Sequence, residues 1–445
     1  SWYSTADTRF KGHLILPPLV TNTGNLPAGL TVVTHLMAYK GVVYISANAT
    51  QDGVYGYTSG TDTWGSSLLN FAAAPSGTSN RWAIADINGA SYLVWGGEGR
   101  YWTFDGTTWT EEVTASTGGV MAAWNGRIWG ALTTPSPYKL WYTFTPGSAE
   151  AQLGITPFIR QTIRAGQLFV ARDASGERVL HLAVPTGLYV YDVGNDEWIE
   201  TGLQLPDNAG AAGVNFASGV EWRDEIYFAT RSSLFKYSVG ERRATITPIG
   251  PDRDHGLPST KASVIRAVVP SLNDVIISLI ETSKTGVLMA WNGQGWRVLY
   301  EGAAAGGEEL APILVAAVSG AYRLWFVNST TSPFNISYME LPSALVNPLQ
   351  ITTYAYAAAA THDWPWFTAG QDDVTKVAVR LKVQTTNPTT SETVKVYYAI
   401  DRSSTFQIMT NSTYTNGTIT AAGIQTFDFP SVDAWVSTTA LSGTA

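Results

Sequence analysis

The chain has 445 residues and combines a net charge of −8 with only 14% charged and 45% hydrophobic residues. An acidic chain of this kind has no cluster of Lys and Arg for phosphate groups, which excludes an electrostatic nucleic-acid surface. The sequence contains no Cys, which excludes disulfides and Cys-based zinc sites, and no apolar run approaches the roughly 18 residues that span a membrane.

Residues 1–30 are predicted to form an N-terminal arm ahead of a repeated region. Within this arm, the segment GHLILPPLV (Gly12 to Val20) is apolar enough to form a strand. A strand from one end of a repeat region can complete the last repeat at the other end, which leaves few unpaired sheet edges. We therefore expect this segment to be a closing strand.

The region from Thr31 onward repeats a short phrase in which an aromatic residue, a tight turn and a tryptophan follow each other. The phrase reads YTSGTDTW, FDGTTW, YDVGNDEW and WNGQGW, with its tryptophans at Trp64, Trp109, Trp198 and Trp296. The intervals are 45, 89 and 98 residues, and the last two are close to twice the first. Strands in the skipped positions are found around Trp141 and Phe235, and a final copy lies around Ile336.

A second landmark, a turn followed by an alternating strand, lies upstream in each unit. It begins near Tyr39, Ile87, Trp124, Asp173, Trp222, Leu272 and Val318. The two series agree on seven units, each of which reads as strands A, B, C and D with tight A–B and C–D turns. Asn-Gly and Asp-Gly pairs favour such two-residue hairpins, and four antiparallel strands every 45 residues or so are typical of a propeller blade.

The repeats therefore predict an all-β protein in which residues 31–347 form a β-propeller of about seven blades. One blade cannot bury both of its faces alone, so blades must pack on each other. We expect each phrase tryptophan to lie in an outer C–D hairpin and to pack against the neighbouring blade.

Three aromatic residues, Tyr39, Trp124 and Trp222, occupy equivalent positions at the A–B turns of three blades. They are expected to lie on one face of the ring near its axis. Rigid rings in such a place can stack on sugars or anchor a protein partner. The alternative interpretation is that each ring covers its own hairpin.

The most polar segment is GPDRDHGLPST (Gly250 to Thr260), in the loop between the fifth and sixth blades. Long inter-blade loops often carry function, and Arg253, Asp254 and His255 are candidates for contact with a ligand or partner. The alternative is a loop held together by its own Arg–Asp pairs. Asp86 and Glu221 are candidate acids for a glycosidase, but no spacing ties one to the other.

The pattern changes after Pro348. VTKVAVRLKVQTTNP (Val374 to Pro388) alternates strictly, and ETVKVYYAID (Glu392 to Asp401) and GIQTFDFP (Gly423 to Pro430) follow. This is an antiparallel β-sandwich pattern, jelly-roll-like, over residues 348–445. Since the chain stops in a Ser/Thr/Gly stretch, we expect the sandwich to be incomplete.

The repeats resemble kelch-like and Asp-box-like propellers. With AGQDDVTKVAVRLKVQTTNPTTSETVKVYYAID (Ala369 to Asp401) after them, the chain resembles virion proteins of tailed bacteriophages, of the tail or fibre type. The resemblance implies a non-enzymatic structural role in the virion, in assembly or host-surface attachment. It implies other virion proteins, further copies of the chain or a host glycan as partners, and no cofactor or metal. The alternatives are a carbohydrate-binding propeller and a secreted propeller glycosidase.

Overall fold

The structure is a computed structural model. It describes residues 3–4, 16–70, 81–96, 101–112, 119–131, 140–147, 151–153, 167–173, 175–184, 187–204, 219–230, 233–239, 244–251, 261, 263–280, 286–302, 309–328, 335–343, 354–360, 362–363, 380–386, 388–399 and 405–428. The chain divides into two compact units, Ser1–Asp363 and Trp364–Ala445.

The first unit is built from short antiparallel strands. Two of them precede the repeats: β1 (Tyr3–Ser4) and β2 (Val20–Asn22). The first three blades contain β3 (Val32–Tyr39), β4 (Val42–Asn48), β5 (Gly53–Thr58), β6 (Thr63–Trp64) and β7 (Leu69–Asn70); β8 (Trp82–Ile87), β9 (Ala90–Gly96), β10 (Tyr101–Phe104) and β11 (Trp109–Glu112); and β12 (Val120–Trp124), β13 (Arg127–Ala131), β14 (Leu140–Thr143) and β15 (Ala151–Leu153).

The remaining blades follow the same order. The fourth, fifth and sixth contain β16 (Gln167–Arg172), β17 (Arg178–Val184), β18 (Gly187–Asp192) and β19 (Glu197–Gln204); β20 (Gly219–Trp222), β21 (Glu225–Thr230), β22 (Ser233–Val239) and β23 (Ala244–Pro251); and β24 (Val264–Pro270), β25 (Val275–Ile280), β26 (Gly286–Trp291) and β27 (Trp296–Glu301). The seventh contains β28 (Ile313–Val318), β29 (Ala321–Asn328) and β30 (Asn335–Glu340). The predicted seven-bladed propeller is confirmed.

The A–B hairpins form because their turn residues accept a left-handed backbone. Both central residues have positive φ in the turns Lys40-Gly41, Asn88-Gly89, Asn125-Gly126, Arg223-Asp224 and Ser319-Gly320. Two consecutive positive φ values define the type I′ turn, whose twist matches that of the strands it joins. The turn places the last residue of strand A directly opposite the first residue of strand B, as in the pair Trp124 and Arg127.

The C–D hairpins owe their shape to a side chain that caps the turn. The Asp105 carboxylate accepts hydrogen bonds from the backbone amides of Thr107 and Thr108, at 2.7 and 2.8 Å. Asn292 caps the equivalent turn of the sixth blade in the same way, from Gln294 and Gly295. The Thr107 hydroxyl and these amides lower the pKa of Asp105 to about 2, because they favour its charged form.

The hydrophobic core lies between the blades rather than within them. The described residues form one apolar cluster at each of the seven blade boundaries, including the boundary between the last and the first. Trp95, Trp129, Trp141 and Trp325 are fully buried in four different clusters. Each blade is therefore apolar on both faces and depends on two neighbours.

The tryptophans of the C–D hairpins contribute to these boundaries. Trp64, Trp198 and Trp296 are buried against the preceding blade, and Trp109 packs in the same sense. The indole Nε1 of Trp296 donates a 2.6 Å hydrogen bond to the carbonyl of Ile249 in the fifth blade. Ile249 sits at a register shift of β23, where Leu234 pairs with Gly250 and Phe235 with Pro248. The indole thus satisfies a carbonyl that the β-bulge removes from the ladder.

The ring closes with a strand from the other end of the chain. β2 pairs with β30 and supplies the fourth strand of the seventh blade, in the order β2-β30-β29-β28. Only Val20 of the predicted segment lies in this strand, which continues to Asn22. Thr23 follows: its hydroxyl donates to the Ile336 carbonyl at 2.9 Å and accepts from Trp64 Nε1 at 3.0 Å. One buried side chain therefore joins the closing strand to the last and first blades.

The arm also pairs with the segment that follows the propeller. β1 pairs with β31 (His362–Asp363). The Ala357 amide donates to the Pro17 carbonyl at 2.8 Å, and the Leu19 amide donates to the Ala355 carbonyl at 2.9 Å. The two ends of the repeat region are thus held together by backbone pairing.

The described residues of the second unit, which lie between 380 and 428, form three small antiparallel pairs. They are β32 (Arg380–Thr385) with β37 (Gly423–Asp428), β33 (Val394–Lys395) with β36 (Thr418–Ile419), and β34 (Tyr397–Tyr398) with β35 (Gln407–Ile408). Met409, Tyr414, Ile419 and Phe427 form its buried core. These pairs are antiparallel, as the alternation predicts, and the complete sandwich stays a prediction.

We expect Trp296→Phe to lower the free energy of unfolding by about 1–3 kcal/mol more than Trp198→Phe, because the first change also leaves the Ile249 carbonyl unsatisfied. Trp198 is the matched control: it is buried at the equivalent hairpin position, and its Nε1 has no hydrogen-bond partner among the described residues. Urea denaturation of both variants measures the difference. Equal losses would show that the indole hydrogen bond contributes nothing.

We expect Thr23→Val to lower the free energy of unfolding by about 1–3 kcal/mol, since it keeps the side-chain shape but leaves the Trp64 indole without an acceptor. Thr21→Val, a partly buried position on the same strand, is the control and is expected to stay within about 0.5 kcal/mol of the wild type. Thermal and urea unfolding of the two variants test this. The same stability for both would contradict a structural role of Thr23 in closure.

Candidate functional site

The A–B turns and the C–D turns lie at the same end of each blade, because all four strands are antiparallel neighbours. Tyr39, Trp124 and Trp222 are each the last residue of an inner strand, β3, β12 and β20. They therefore belong to one face of the ring, which we call the turn face.

Each of these aromatic residues reaches the next blade. The Tyr39 hydroxyl donates to the Ser91 carbonyl of the second blade. Trp124 Nε1 donates to the Arg178 carbonyl of the fourth blade at 2.8 Å, and Trp222 Nε1 donates to the Ser271 carbonyl of the sixth at 2.9 Å. The side chains act as staples between the A–B turns of adjacent blades.

The staples differ in how much of each ring is left accessible. Tyr39 is 3% and Trp222 6% exposed, whereas Trp124 is partly exposed. The structure therefore brings the three predicted residues to the same face but leaves mainly Trp124 open for an external contact. Arg253, Asp254 and His255 lie outside the described residues, and their assignment stays a prediction.

An ion-pair cluster performs the same task between the fourth and fifth blades. Arg172 ends β16, at the position equivalent to Tyr39, and its Nε lies 2.7 Å from Asp224 and 3.5 Å from Glu221. Arg178 adds a 3.0 Å contact to Glu221. Glu221, a candidate acid from the sequence, is thus enclosed by two arginines, while Asp86 is exposed on β8 in a blade that is not adjacent.

The third blade carries a group that the sequence did not reveal: Trp124, Arg127, Tyr142 and Phe144, which we call the Arg127 cluster. The Arg127 Cζ lies 4.5 Å from the ring centroids of both Tyr142 and Phe144. Phe144 is 55% exposed. The signal was present in WNGRIW and YTF, because a two-residue turn pairs Trp124 with Arg127 and strand alternation puts Tyr142 and Phe144 on one side.

The described residues contain no group of three or more His, Asp or Glu that could hold a metal ion. Among those same residues, no helix is long and apolar enough to cross a membrane. Among the described residues, the turn face carries the inter-blade staples, the Arg172 ion-pair cluster and the partly exposed Arg127 cluster.

No family model and no curated protein matches the chain. Solved structures are similar to it in fold. One is the extracellular domain of a hybrid two component system from B. thetaiotaomicron, with a TM-score of 0.52 and 14% identity over 74% of this chain and 40% of that one. The chain thus spans less than half of that relative.

A second similar structure is a β-propeller domain from Myceliophteria thermophila, with a TM-score of 0.50 and 13% identity. The similarity covers 73% of this chain and 100% of that domain. At these identities the comparisons show the fold alone, which is an all-β, seven-bladed propeller.

The most perturbed imidazole lies away from the turn-face groups described above. His181 is buried on β17 and stacks on Phe169, with ring centroids 5.4 Å apart. Burial lowers its pKa from 6.5 to about 4, although its hydrogen bond with the Val179 carbonyl acts in the opposite direction. Because its Nδ1 lies 3.1 Å from that carbonyl in a buried setting, we interpret His181 as a structural residue.

The free energy of unfolding is expected to decrease as the pH is lowered from 6.5 to 4. In this range the unfolded chain binds a proton at His181 and the folded chain does not. The pKa shift corresponds to a loss on the order of 3 kcal/mol. We expect His181→Gln to reduce this pH-dependent loss by a similar amount. Phe169→Leu is the control, since it removes the stacking partner and keeps the imidazole. Urea unfolding at several pH values measures how steeply the free energy of unfolding changes with pH. The same pH dependence in His181→Gln and in the wild type would refute the low pKa of His181.

Proposed function

We propose that the chain is a non-enzymatic structural component of a tailed-phage virion, associated with the tail or the surface, in which the propeller is a rigid platform for assembly or host attachment. Two observations motivate the proposal: residues 369–401 resemble virion modules, and the chain has a low fraction of charged residues. Both properties suit a protein whose surface is permanently covered by partners.

The observation that carries the proposal is the set of exposed apolar side chains on the second unit. Tyr397, Phe406 and Ile424 are 52%, 56% and 65% exposed. Tyr397 pairs with Ile408, and Phe406 lies two residues before Ile408, so strand alternation puts Tyr397 and Phe406 on one side of their hairpin. Large apolar groups exposed close together favour a protein interface.

The turn face supports the non-enzymatic part of the proposal. Catalytic carboxylates of a glycosidase must face each other across a substrate. Glu221 is instead held by Arg172 and Arg178, and the polar atoms of Tyr39 and Trp222 are bonded to backbone carbonyls. These groups stabilise the ring and are not kept free for chemistry.

The test is mass spectrometry of phage particles purified by density gradient from the source of the gene. We expect the chain to co-purify with the particles at a fixed ratio to the major capsid protein, and the flanking genes to encode portal, terminase or tail components. Recovery of the chain only as a free secreted protein would overturn the virion role. Hydrolysis of a polysaccharide by the purified chain, abolished by Glu221→Gln, would overturn the non-enzymatic role.

A further inference from the structure

The Arg127 cluster places one cation among aromatic rings at the turn face. Arg127 begins β13, opposite Trp124 on β12, and precedes Ile128, which pairs with Thr143 on β14. Because Ile128 pairs with Thr143, the next two residues in this register are Arg127 and Phe144, and they lie beside each other. The three side chains form a row across strands A, B and C on one side of the third blade.

The cation of this row lacks the usual partner. Six of the other described arginines contact a carboxylate within 3.5 Å: Arg172, Arg178, Arg266, Arg297, Arg323 and Arg380. Across the described ranges, Arg127 has neither an ion pair nor a hydrogen bond, and its buried Nε has no acceptor. Its contacts are the faces of Tyr142 and Phe144 at 4.5 Å and of Trp129 at 5.9 Å.

The rings around Arg127 are held in place while part of their surface stays accessible. Trp124 is fixed through its hydrogen bond to Arg178, and Tyr142 packs on Trp129 with centroids 4.9 Å apart. Phe144 lies edge-on to Tyr142 and is 55% exposed. A rigid, exposed aromatic face loses little conformational entropy when a ligand stacks on it.

We propose that the Arg127 cluster binds a carboxylate-bearing saccharide. The apolar face of the sugar ring stacks on Phe144 and Trp124, and the guanidinium of Arg127 pairs with the carboxylate. A planar guanidinium matches a carboxylate with two parallel hydrogen bonds. A cation beside an exposed ring favours a ligand that carries its carboxylate on a six-membered sugar ring with an apolar C–H face.

An acidic peptide would supply the charge but no rigid ring to stack on Phe144, so we favour the saccharide. This inference goes beyond the proposed virion role and is independent of it. It concerns the purified chain, and it stands or falls whether or not the chain is found in particles.

Isothermal titration of the purified full chain with tri-galacturonate tests the site. The fully methyl-esterified trisaccharide is the matched neutral ligand, and an N-acetylated, C-amidated triglutamate peptide is the charge-matched anion without sugar rings. We expect the acid trisaccharide to bind with at least tenfold higher affinity than either control. We also expect its binding to weaken as salt is raised, because the contact is charge-dependent.

Two substitutions test the residues. Arg127→Met and Phe144→Ala are each expected to weaken binding of the acid trisaccharide at least tenfold. Arg223→Met is the matched control, because the Arg223 guanidinium also lies over an indole, 4.1 Å from the ring of Trp222. That indole is buried, so this substitution is expected to change the affinity less than twofold. Should Arg127→Met fail to fold, Arg127→Lys keeps the charge without the planar fork and is expected to bind more weakly.

The inference is overturned if tri-galacturonate does not bind or if its ester binds equally well. It is also overturned if the peptide competes at the same affinity, or if the Arg127 and Phe144 variants behave like Arg223→Met.

Discussion

The fold depends on apolar packing between blades. Strands that are buried on both faces cannot be stable as a single sheet, and each blade has a cluster on either side. The last boundary joins the seventh blade to the first, where the ring centroids of Trp325 and Trp64 lie 6.5 Å apart. The closing strand matters for this reason: it supplies the fourth strand of the seventh blade, where β30 would otherwise lack its partner. Through Thr23 it also connects the blades on both sides of the seam.

A second layer of contacts at the turn face adds direction to this packing. Apolar clusters resist separation but tolerate small rotations, because dispersion contacts are not directional. Hydrogen bonds from Tyr39, Trp124 and Trp222 to carbonyls of the next blade, and the Arg172 ion pairs, fix the angle between turns. The rings that the sequence associates with ligands thus fix the geometry of the ring, and the proposed saccharide site uses Trp124, the one of the three that is only partly covered.

Local features of the fold were predictable from the sequence, whereas contacts between repeats were not. Asn125-Gly126 specifies a hairpin by its own φ preferences, and the spacing of Trp109, Trp198 and Trp296 reveals the blade period. The acceptor of the Trp296 indole lies 47 residues earlier, on a β-bulge. A bulge depends on the pairing of two strands and leaves no mark in either one. For the same reason the sequence placed Tyr39 on the turn face but could not show that the second blade covers it.

The proposed saccharide site rests on a contrast between two arginines of the turn face, Arg172 and Arg127. Arg172 is matched by acids on the next blade, so a ligand carboxylate would have to displace Asp224 and Glu221. The rings around Arg127 stabilise a cation through their faces without neutralising its charge. A cation held in this way keeps its attraction for an external anion while its position is already fixed. Partial desolvation by Tyr142 and Phe144 further strengthens that attraction, because a nearby charge is less screened beside apolar surface than in water.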